Sequence, residues 1–480
     1  MSFFYNIFSY TKLFINLWSY SKDYKNNDHN SILFDNLLDN VSNCGAVMIK
    51  FCQWITPKLE LIYLETNDII KDKKPPWLIK LEKFYEKCPE HDIEYTKSEY
   101  ERVFKEDINE QYEIIETIGS GSIGQVYLIN DKKKNIKKVL KILHPNVRSQ
   151  IYFFRFLIKT LMFIPCIRNK LIKYIPFNIF IFIDQFMFQT NLINEANNIL
   201  HFERLYKDNE YIIIPEVYKI SETILIMSYE NGINIDTEEL SDYKINKLVN
   251  LYHLFIRENQ MIENFNHGDL HPGNWRFRLE DDKCKIVIYD YGFCWKQNQR
   301  QFEEMGDLMT DTFESSNRET TDVSLDNLCK IMYYAVLYDG EDKETDYKER
   351  IKQFTNNRLS ELEPWKLSPI VLLKAIIDFC VIERLFIDPT LLQGFIVIIQ
   401  GQKLFEKYEL MASDKNLMDD YKVFRERYLN IYTFCKTYKI FPGYSSYIEK
   451  KLNSKQIKIN GIFDTIDIND SELIKLALDQ

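Results

Sequence analysis

The chain has 480 residues, 45% of them hydrophobic and 28% charged, which is enough for a large globular core. Its formal net charge is −10 and it carries no long basic run, so nucleic acid is excluded as the main partner. The nine cysteines are scattered without a CxxC pair, and none of the seven histidines falls in an HExxH arrangement. This favours reduced thiols in an intracellular compartment over a disulfide framework or a zinc centre.

The first twenty residues lack a basic leader and a long apolar run. Neither a signal peptide nor a membrane span is therefore expected. Phe4, Ile7, Phe8, Phe14, Leu17 and Trp18 recur at helical spacing. They predict a helix packed on the body of the protein, with a helix lying on a membrane surface as the alternative. Residues 45–53 continue as an amphipathic helix carrying Lys50 and Gln53. The charged stretch 71–110, with Pro75-Pro76 and Pro89, predicts a linker plus short helices, and the catalytic body begins near 111.

Residues 112–129 run from a strand into Gly119-Ser120-Gly121-Ser122-Ile123-Gly124 and on to Val126. Glycines let backbone N–H groups approach phosphate oxygens without a Cβ in the way. The same letters occur in dinucleotide-binding folds, but those continue into a helix. Here the residues after Gly124 read as a second strand, which predicts a hairpin. The next strand carries Lys138 and Lys141, and position alone does not separate them. Residues 144–190 are apolar and aromatic with interspersed Arg155, Lys159, Arg168, Lys170 and Lys173. Core helices are the first reading, and a basic aromatic pair resting on a membrane is the second. A helix comes next over 189–204, with Glu195 and Glu203 both available to pair with a lysine. Residues 211–229 alternate as strands and end in the turn Glu230-Asn231-Gly232. Beyond 236 the pattern is helical, apart from one stretch and a polar loop at 310–326.

That one stretch is 267–292. It offers Asp269, then Asn274, then a β-branched run ending in Asp290-Tyr291-Gly292. One carboxylate to orient an acceptor, and an amide and a second carboxylate for metal-bound phosphates, are the parts a phosphoryl-transfer site needs. The order and spacing match the kinase signature, with Tyr in the middle of the Asp-aromatic-Gly element. In that layout Lys141 paired with Glu195 would hold the phosphates, and Asp269 would sit at the acceptor. Asn274 and Asp290 would hold Mg²⁺, and Met227 and Tyr229 would lie at the adenine hinge. Gly119, Ser120, Gly121, Ser122, Gly124 and Val126 would cover the nucleotide.

With these residues the chain resembles the UbiB-type atypical kinases, also called AarF-domain or coenzyme-Q-associated kinases. The resemblance runs from about Gly45 to Trp295. Its most specific match is His271-Pro272-Gly273-Asn274; Ser122-Ile123-Gly124-Gln125-Val126, His144-Pro145 and Glu195-Ala196-Asn197 also match. The resemblance implies an α+β, two-lobed protein-kinase-like fold. A helical extension would occupy 1–110 and carry Lys50 and Gln53. A small lobe would span 111–230 with a helical insert at about 145–188, and a helical lobe with the catalytic and metal loops would span 231–480. It also implies ATP and Mg²⁺ as cofactors and transfer of the γ-phosphoryl to a small molecule, a lipid-linked partner or water.

Three departures stand out. The family's Lys-x-Gly-Gln is Lys50-Phe51-Cys52-Gln53, the acids of its Glu-x-Asp fall on Gln189 and Asn191, and its alanine-rich loop is Ser120-Gly121. Without those acids Lys50 is expected to lose charge partners and to occlude the cleft less. The alternatives are a small-molecule kinase of the aminoglycoside or choline type and a nucleotide-binding pseudokinase.

Overall fold

The computed structural model describes residues 8–17, 19, 31–63, 80–81, 88–174, 176–236, 240–280, 283–298, 302, 325–337, 344–359, 369–408 and 447. The Pro75-Pro76 stretch, the polar residues 310–324, and Phe4, Ile7 and Trp18 lie outside them.

A helix at 8–17 precedes α1 (Ser31–Asn43) and α2 (Ala46–Tyr63). The first of these packs differently from its sequence pattern. Tyr10 and Leu13 are buried, with Tyr10 against Phe153 and Phe154, whereas Phe8, Phe14 and Leu17 stand exposed. Three apolar positions at helical spacing define a face, but the aromatic neighbours decide which face is covered. Next, α3 (Ile93–Phe104) starts where the Asp92 carboxylate accepts from the Glu94 N–H.

Strands β1 (Tyr112–Ser120), β2 (Gly124–Asp131) and β3 (Ile136–Leu143) come after it. The glycine-rich segment therefore closes a hairpin, not a strand-to-helix turn. Helices α4 (Val147–Phe163), α5 (Pro165–Tyr174) and α6 (Ile179–Gln189) form the insert. Then comes α7 (Leu192–Tyr206), and the continuous helix expected over 189–204 is broken before it. Asn191 turns extended there, and its side chain accepts from the Ile193 N–H to cap α7.

The strands β4 (Ile212–Ile213), β5 (Val217–Ile220) and β6 (Ile224–Ser228) diverge in their pairing. β5 and β6 complete a five-stranded antiparallel sheet in the order β1-β2-β3-β6-β5. β4 leaves it and runs parallel to a strand of the other lobe, Ile212 beside Ile286 and Ile213 beside Val287. Local alternation predicts a strand but not its partner. The chain continues through α8 (Asp242–Glu258), β7 (Asn266–His267), β8 (Trp275–Glu280), β9 (Lys283–Ile288) and β10 (Cys294–Trp295). The helices α9 (Leu325–Tyr334), α10 (Glu344–Leu359), α11 (Pro369–Glu383) and α12 (Pro389–Lys407) come last.

One apolar cluster runs through both lobes, joining Leu225 and Met227 of the sheet, Ile199 and Phe202 of α7, Phe255 of α8 and Ile288 of β9. A second unites α9 to α12, and a third packs the helix at 8–17, α1 and α2 onto the insert. Just past the segment that joins the lobes, Ile233 bridges Phe277 of β8. Gly232 fits there because a Cβ would come within 2.4 Å of the Arg276 Cβ. No helix among the described residues is long and apolar enough to cross a membrane.

Candidate functional site

Strand parity separates the two lysines of β3. Three residues apart on a strand, they face opposite sides of the sheet. Lys138 donates to Asp131 at 2.7 Å and lies over the Tyr218 ring. Lys141 turns to the cleft and donates to Glu195 Oε1 at 2.8 Å and to Asp290 Oδ1 at 2.9 Å. Glu203, eight residues along α7 from Glu195, is exposed.

Two carboxylates thus share one ammonium. Burial works against the charge on all three groups, and the pairing decides the rest. Lys141 is held above its ordinary value by Asp290 and Glu195 despite its desolvation. Asp290 is held well below the usual carboxylate range, because Lys141 outweighs burial. Glu195, 2% exposed as a side chain, is pushed up to about 7 by burial, which Lys141 only partly offsets. The deeper carboxylate bears the desolvation cost, and the one open to the cleft stays charged.

Asp290 has a left-handed backbone, φ 50°, uncommon for a non-glycine residue. The Gly292 N–H donates to its Oδ1 at 3.2 Å and holds the turn. A Cβ at 292 would lie 3.2 Å from that oxygen and 3.5 Å from Glu195 Oε2, so a side chain there would crowd both acids.

The loop bearing Asp269 is fixed from several sides. His267 Nε2 donates to the Tyr289 carbonyl at 2.9 Å, and its Nδ1 accepts from the Asp269 N–H at 3.2 Å; the carbonyl dictates this tautomer. Asn274 Nδ2 donates to the Asp269 carbonyl at 2.8 Å, while the Tyr289 N–H donates to the Asn274 carbonyl at 2.8 Å. Gln393 of α12 donates to the Gly268 carbonyl at 2.7 Å. Asp269 and Asn274 are thereby tied to the segment that carries Asp290.

Lys50 enters the same cleft. Its Nζ donates to Asp269 Oδ2 at 3.1 Å. Burial alone would raise the Asp269 carboxyl, but Lys50 and His271 hold it below its ordinary value. Nearby, the Ser122 hydroxyl donates to Gln53 Oε1 at 3.3 Å, joining the Lys50 helix to the glycine-rich loop. With amides at 189 and 191 in place of the two acids, Lys50 takes its charge partner from the acceptor side of the cleft. Gln189 is buried at the end of α6, and Asn191 is used as the helix cap.

Within the loop, Gly121 N–H donates to the Gly124 carbonyl at 3.0 Å. Gly124 must lack a side chain, since a Cβ would come within 2.4 Å of the Ile142 carbonyl oxygen. Gly119 and Gly121 face no such constraint. Val126 packs at the edge of the inter-lobe cluster, Met227 is buried in it, and Tyr229 is 38% exposed at the start of the lobe linker. That linker is clamped by Arg278, which donates to the Asn231 carbonyl at 2.7 Å, and by the Tyr289 hydroxyl, which donates to the Glu230 carbonyl at 2.7 Å. Arg278 and Gln393 support the site without any local motif that announces them, whereas His267 opens the signature stretch 267–292.

The donor set fits Mg²⁺. Asn274 spends its Nδ2 on the Asp269 carbonyl, which turns its amide oxygen to face the other way. Asp290 keeps 47% of its side chain open. One carboxylate and one amide oxygen suit a hard cation that retains waters and phosphate oxygens as its other ligands.

Part of the chain resembles known proteins. Residues 83–324 match the model of the ABC1 atypical kinase-like domain, about half of the chain. The chain is similar to "Probable serine/threonine-protein kinase abkC" of Dictyostelium discoideum, 30% identical over 269 residues, covering 53% of this chain and 36% of that protein. It is also similar to "ABC1 family protein C21C3.03, mitochondrial" of Schizosaccharomyces pombe, 27% identical over 278 residues, covering 50% and 38%. The matched region thus spans little more than a third of the length of either relative. A Mycobacterium tuberculosis protein solved in complex with erythromycin aligns at 18% identity, covering 65% of this chain and 82% of its own, with a TM-score of 0.38.

Proposed function

The chain belongs to the ABC1 atypical kinase-like family, and from that premise we propose that it binds Mg-ATP and transfers the γ-phosphoryl to a small acceptor or to water. The observation that carries the reading is the double contact of Lys141 with Glu195 and Asp290 in the same cleft as Asp269. The division into an extension to 110, a small lobe to 230 and a helical lobe beyond is part of the proposal.

In this reading Lys141, fixed by Glu195, donates to the phosphate oxygens, and the glycine-rich segment 119–124 covers them. Met227, Val126 and Tyr229 line the adenine. Asp290 and Asn274 hold Mg²⁺, which neutralises charge on the phosphates when bound. Asp269, its basicity lowered by Lys50, orients the acceptor hydroxyl or water more than it deprotonates it. An acceptor must share Asp269 with Lys50 or displace it, which favours a small group over a docked peptide. That contact also argues against the aminoglycoside-kinase alternative, in which the Lys50 helix has no counterpart.

The test is Mg²⁺-dependent ATP turnover by the purified protein, with Asp269→Asn as the blank. Turnover above that blank is expected; Mg-dependent binding with no turnover would favour the pseudokinase.

A second reading concerns a partner. On α4, Tyr152, Phe156 and Phe163 are 64%, 64% and 89% exposed at one- and two-turn steps, beside exposed Arg155 and Lys159. Aromatic anchors beside Lys159 and Arg155, the latter paired with Asp184, support peripheral contact with an anionic membrane. Co-sedimentation with anionic vesicles, reduced by Phe156→Ser with Phe163→Ser, is the expected outcome; equal sedimentation would rule it out.

A further inference from the structure

Behind the glycine-rich loop lie two histidines that the phosphoryl-transfer reading leaves without a role. His144 comes directly after β3, and its Nε2 lies 2.9 Å from the Gly121 carbonyl oxygen. Its Nδ1 lies 2.7 Å from His91 Nδ1. His91 Nε2 is 2.9 Å from Thr96 Oγ1, Thr96 Oγ1 is 3.0 Å from the Tyr127 hydroxyl, and Gln125 Nε2 is 2.8 Å from that hydroxyl. The His91 N–H donates to Gln125 Oε1 at 2.9 Å and closes the circuit.

The chemistry of the last acceptor orders the whole chain. A carbonyl can only accept, so His144 Nε2 carries a proton. A neutral His144 then has a bare Nδ1, and His91 Nδ1 must donate to it. A neutral His91 in turn accepts at Nε2, so Thr96 donates there, Tyr127 donates to Thr96, and Gln125 donates to Tyr127. The Gln125 amide is already oriented for this, because its oxygen takes the His91 N–H. Each of these contacts then has one donor and one acceptor, in one direction, with both imidazoles neutral; Ser120 Oγ, 3.5 Å from His144 Nε2, and Thr117 Oγ1, 3.4 Å from Gln125 Nε2, add longer contacts. Two added protons would set an N–H against an N–H across 2.7 Å and break the contact.

The same corner holds the loop by backbone. The His144 N–H donates to the Ile123 carbonyl at 2.8 Å, and the Cys88 N–H donates to the Ser120 carbonyl at 3.1 Å. In a trans peptide the N–H points opposite to the C=O. Turning the Gly121 carbonyl toward His144 therefore turns the Ser122 N–H away from it. This fixes the direction of a donor in the loop that covers the phosphates.

We infer that His144, oriented by His91, is a positioning residue that holds the glycine-rich loop in its nucleotide-binding shape while the imidazole pair is neutral, and that proton uptake by the pair releases the loop. The inference rests on the nucleotide reading above for its functional half. The ionisable groups facing the pair are Asp92, whose charge favours a cationic His91, and the phenols of Tyr95 and Tyr127. Burial, joined by the neighbouring imidazole, outweighs Asp92 and holds His91 at about 4, and burial holds His144 below its ordinary value. The pair is thus neutral at pH 7. Because the unfolded chain takes up these protons first, native stability should fall as pH drops from ~6.5 toward about 4.

The test pairs hydrogen exchange of the 119–126 peptide with Mg-ATP affinity, each at pH 7.5 and at about 4, where His91 takes up its proton, in wild type, His144→Ala and His144→Gln. Melting curves confirm that each variant is folded. Gln can still donate to the Gly121 carbonyl but does not titrate. At pH 7.5, His144→Ala is expected to exchange faster and bind about tenfold more weakly, the effect of one such anchor. His144→Gln should stay within about threefold of wild type and lose the extra weakening seen at a pH of about 4. Unchanged exchange and affinity in His144→Ala would overturn the inference, as would an acid weakening of equal size in His144→Gln. If wild type failed to bind Mg-ATP at either pH, the nucleotide reading itself would fall, and loop exchange alone would decide the anchor.

Discussion

Two lysines reach carboxylates in the cleft, and they are held in different ways. Lys141 comes from the middle of a sheet, is 9% exposed as a side chain and touches two acids at 2.8 and 2.9 Å. Lys50 comes from a helix laid over the cleft, is 15% exposed and touches one acid, itself 29% exposed, at 3.1 Å. A buried cation shared by two anions is part of the frame, since removing it leaves Glu195, 2% exposed, without its counter-charge. A single contact at the mouth of the cleft can open without such a penalty. In the proposed reading, this difference makes Lys141 fixed machinery and Lys50 a gate on the acceptor side.

The largest expected effect breaks the fixed half. Lys141→Met should lower stability by about 3–5 kcal/mol in denaturant unfolding at pH 8. The loss should shrink at pH 5.5, where Glu195, already raised to about 7, relieves the charge by taking a proton. A loss independent of pH would mean that Glu195 does not share the Lys141 charge.

Asp269→Asn should then separate binding from chemistry. Turnover is expected to fall by roughly 10²–10⁴, the usual range for a positioned acid or base, with Mg-ATP affinity kept within a few-fold. Equal loss of both would undo the division of roles. Lys50→Met sharpens the other half of the comparison. Without the ammonium the Asp269 carboxyl should rise, so the acid limb of the turnover profile should move to higher pH; an unmoved limb would make the 3.1 Å contact irrelevant to function. The smallest effect is expected from Gly121→Ala. A Cβ there meets only the Gly124 carbonyl oxygen at 3.7 Å, so stability should hold and only a few-fold change in nucleotide affinity is expected.

Much of the site is legible in the sequence because it is written locally. Asp269, Asn274 and Asp290 lie within one strand-linked stretch, and the glycine-rich hairpin is betrayed by the strand-like residues after Gly124. Features that depend on a distant neighbour escape. Lys141 differs from Lys138 only once the covered face of the sheet is known. The break at Asn191 is a capping choice inside an otherwise helical pattern. β4 pairs across 74 positions with β9, Ile212 beside Ile286. His91 and His144 are 53 residues apart and no periodicity links them. The partner of Lys50 also escapes, because the chain shows which acids it lacks at 189 and 191 but not that Asp269 stands within reach.

The most direct test of the central claim is a calorimetric titration of ATP, with Mg²⁺ and with chelator, into wild type and Asp290→Asn. Wild type is expected to bind only with Mg²⁺, and Asp290→Asn is expected to lose that binding, because an amide is a poorer ligand for a hard cation. Binding by Asp290→Asn that is undiminished and equally dependent on Mg²⁺ would contradict the assignment of Asp290 and, with it, the account of the cleft as a Mg-ATP site.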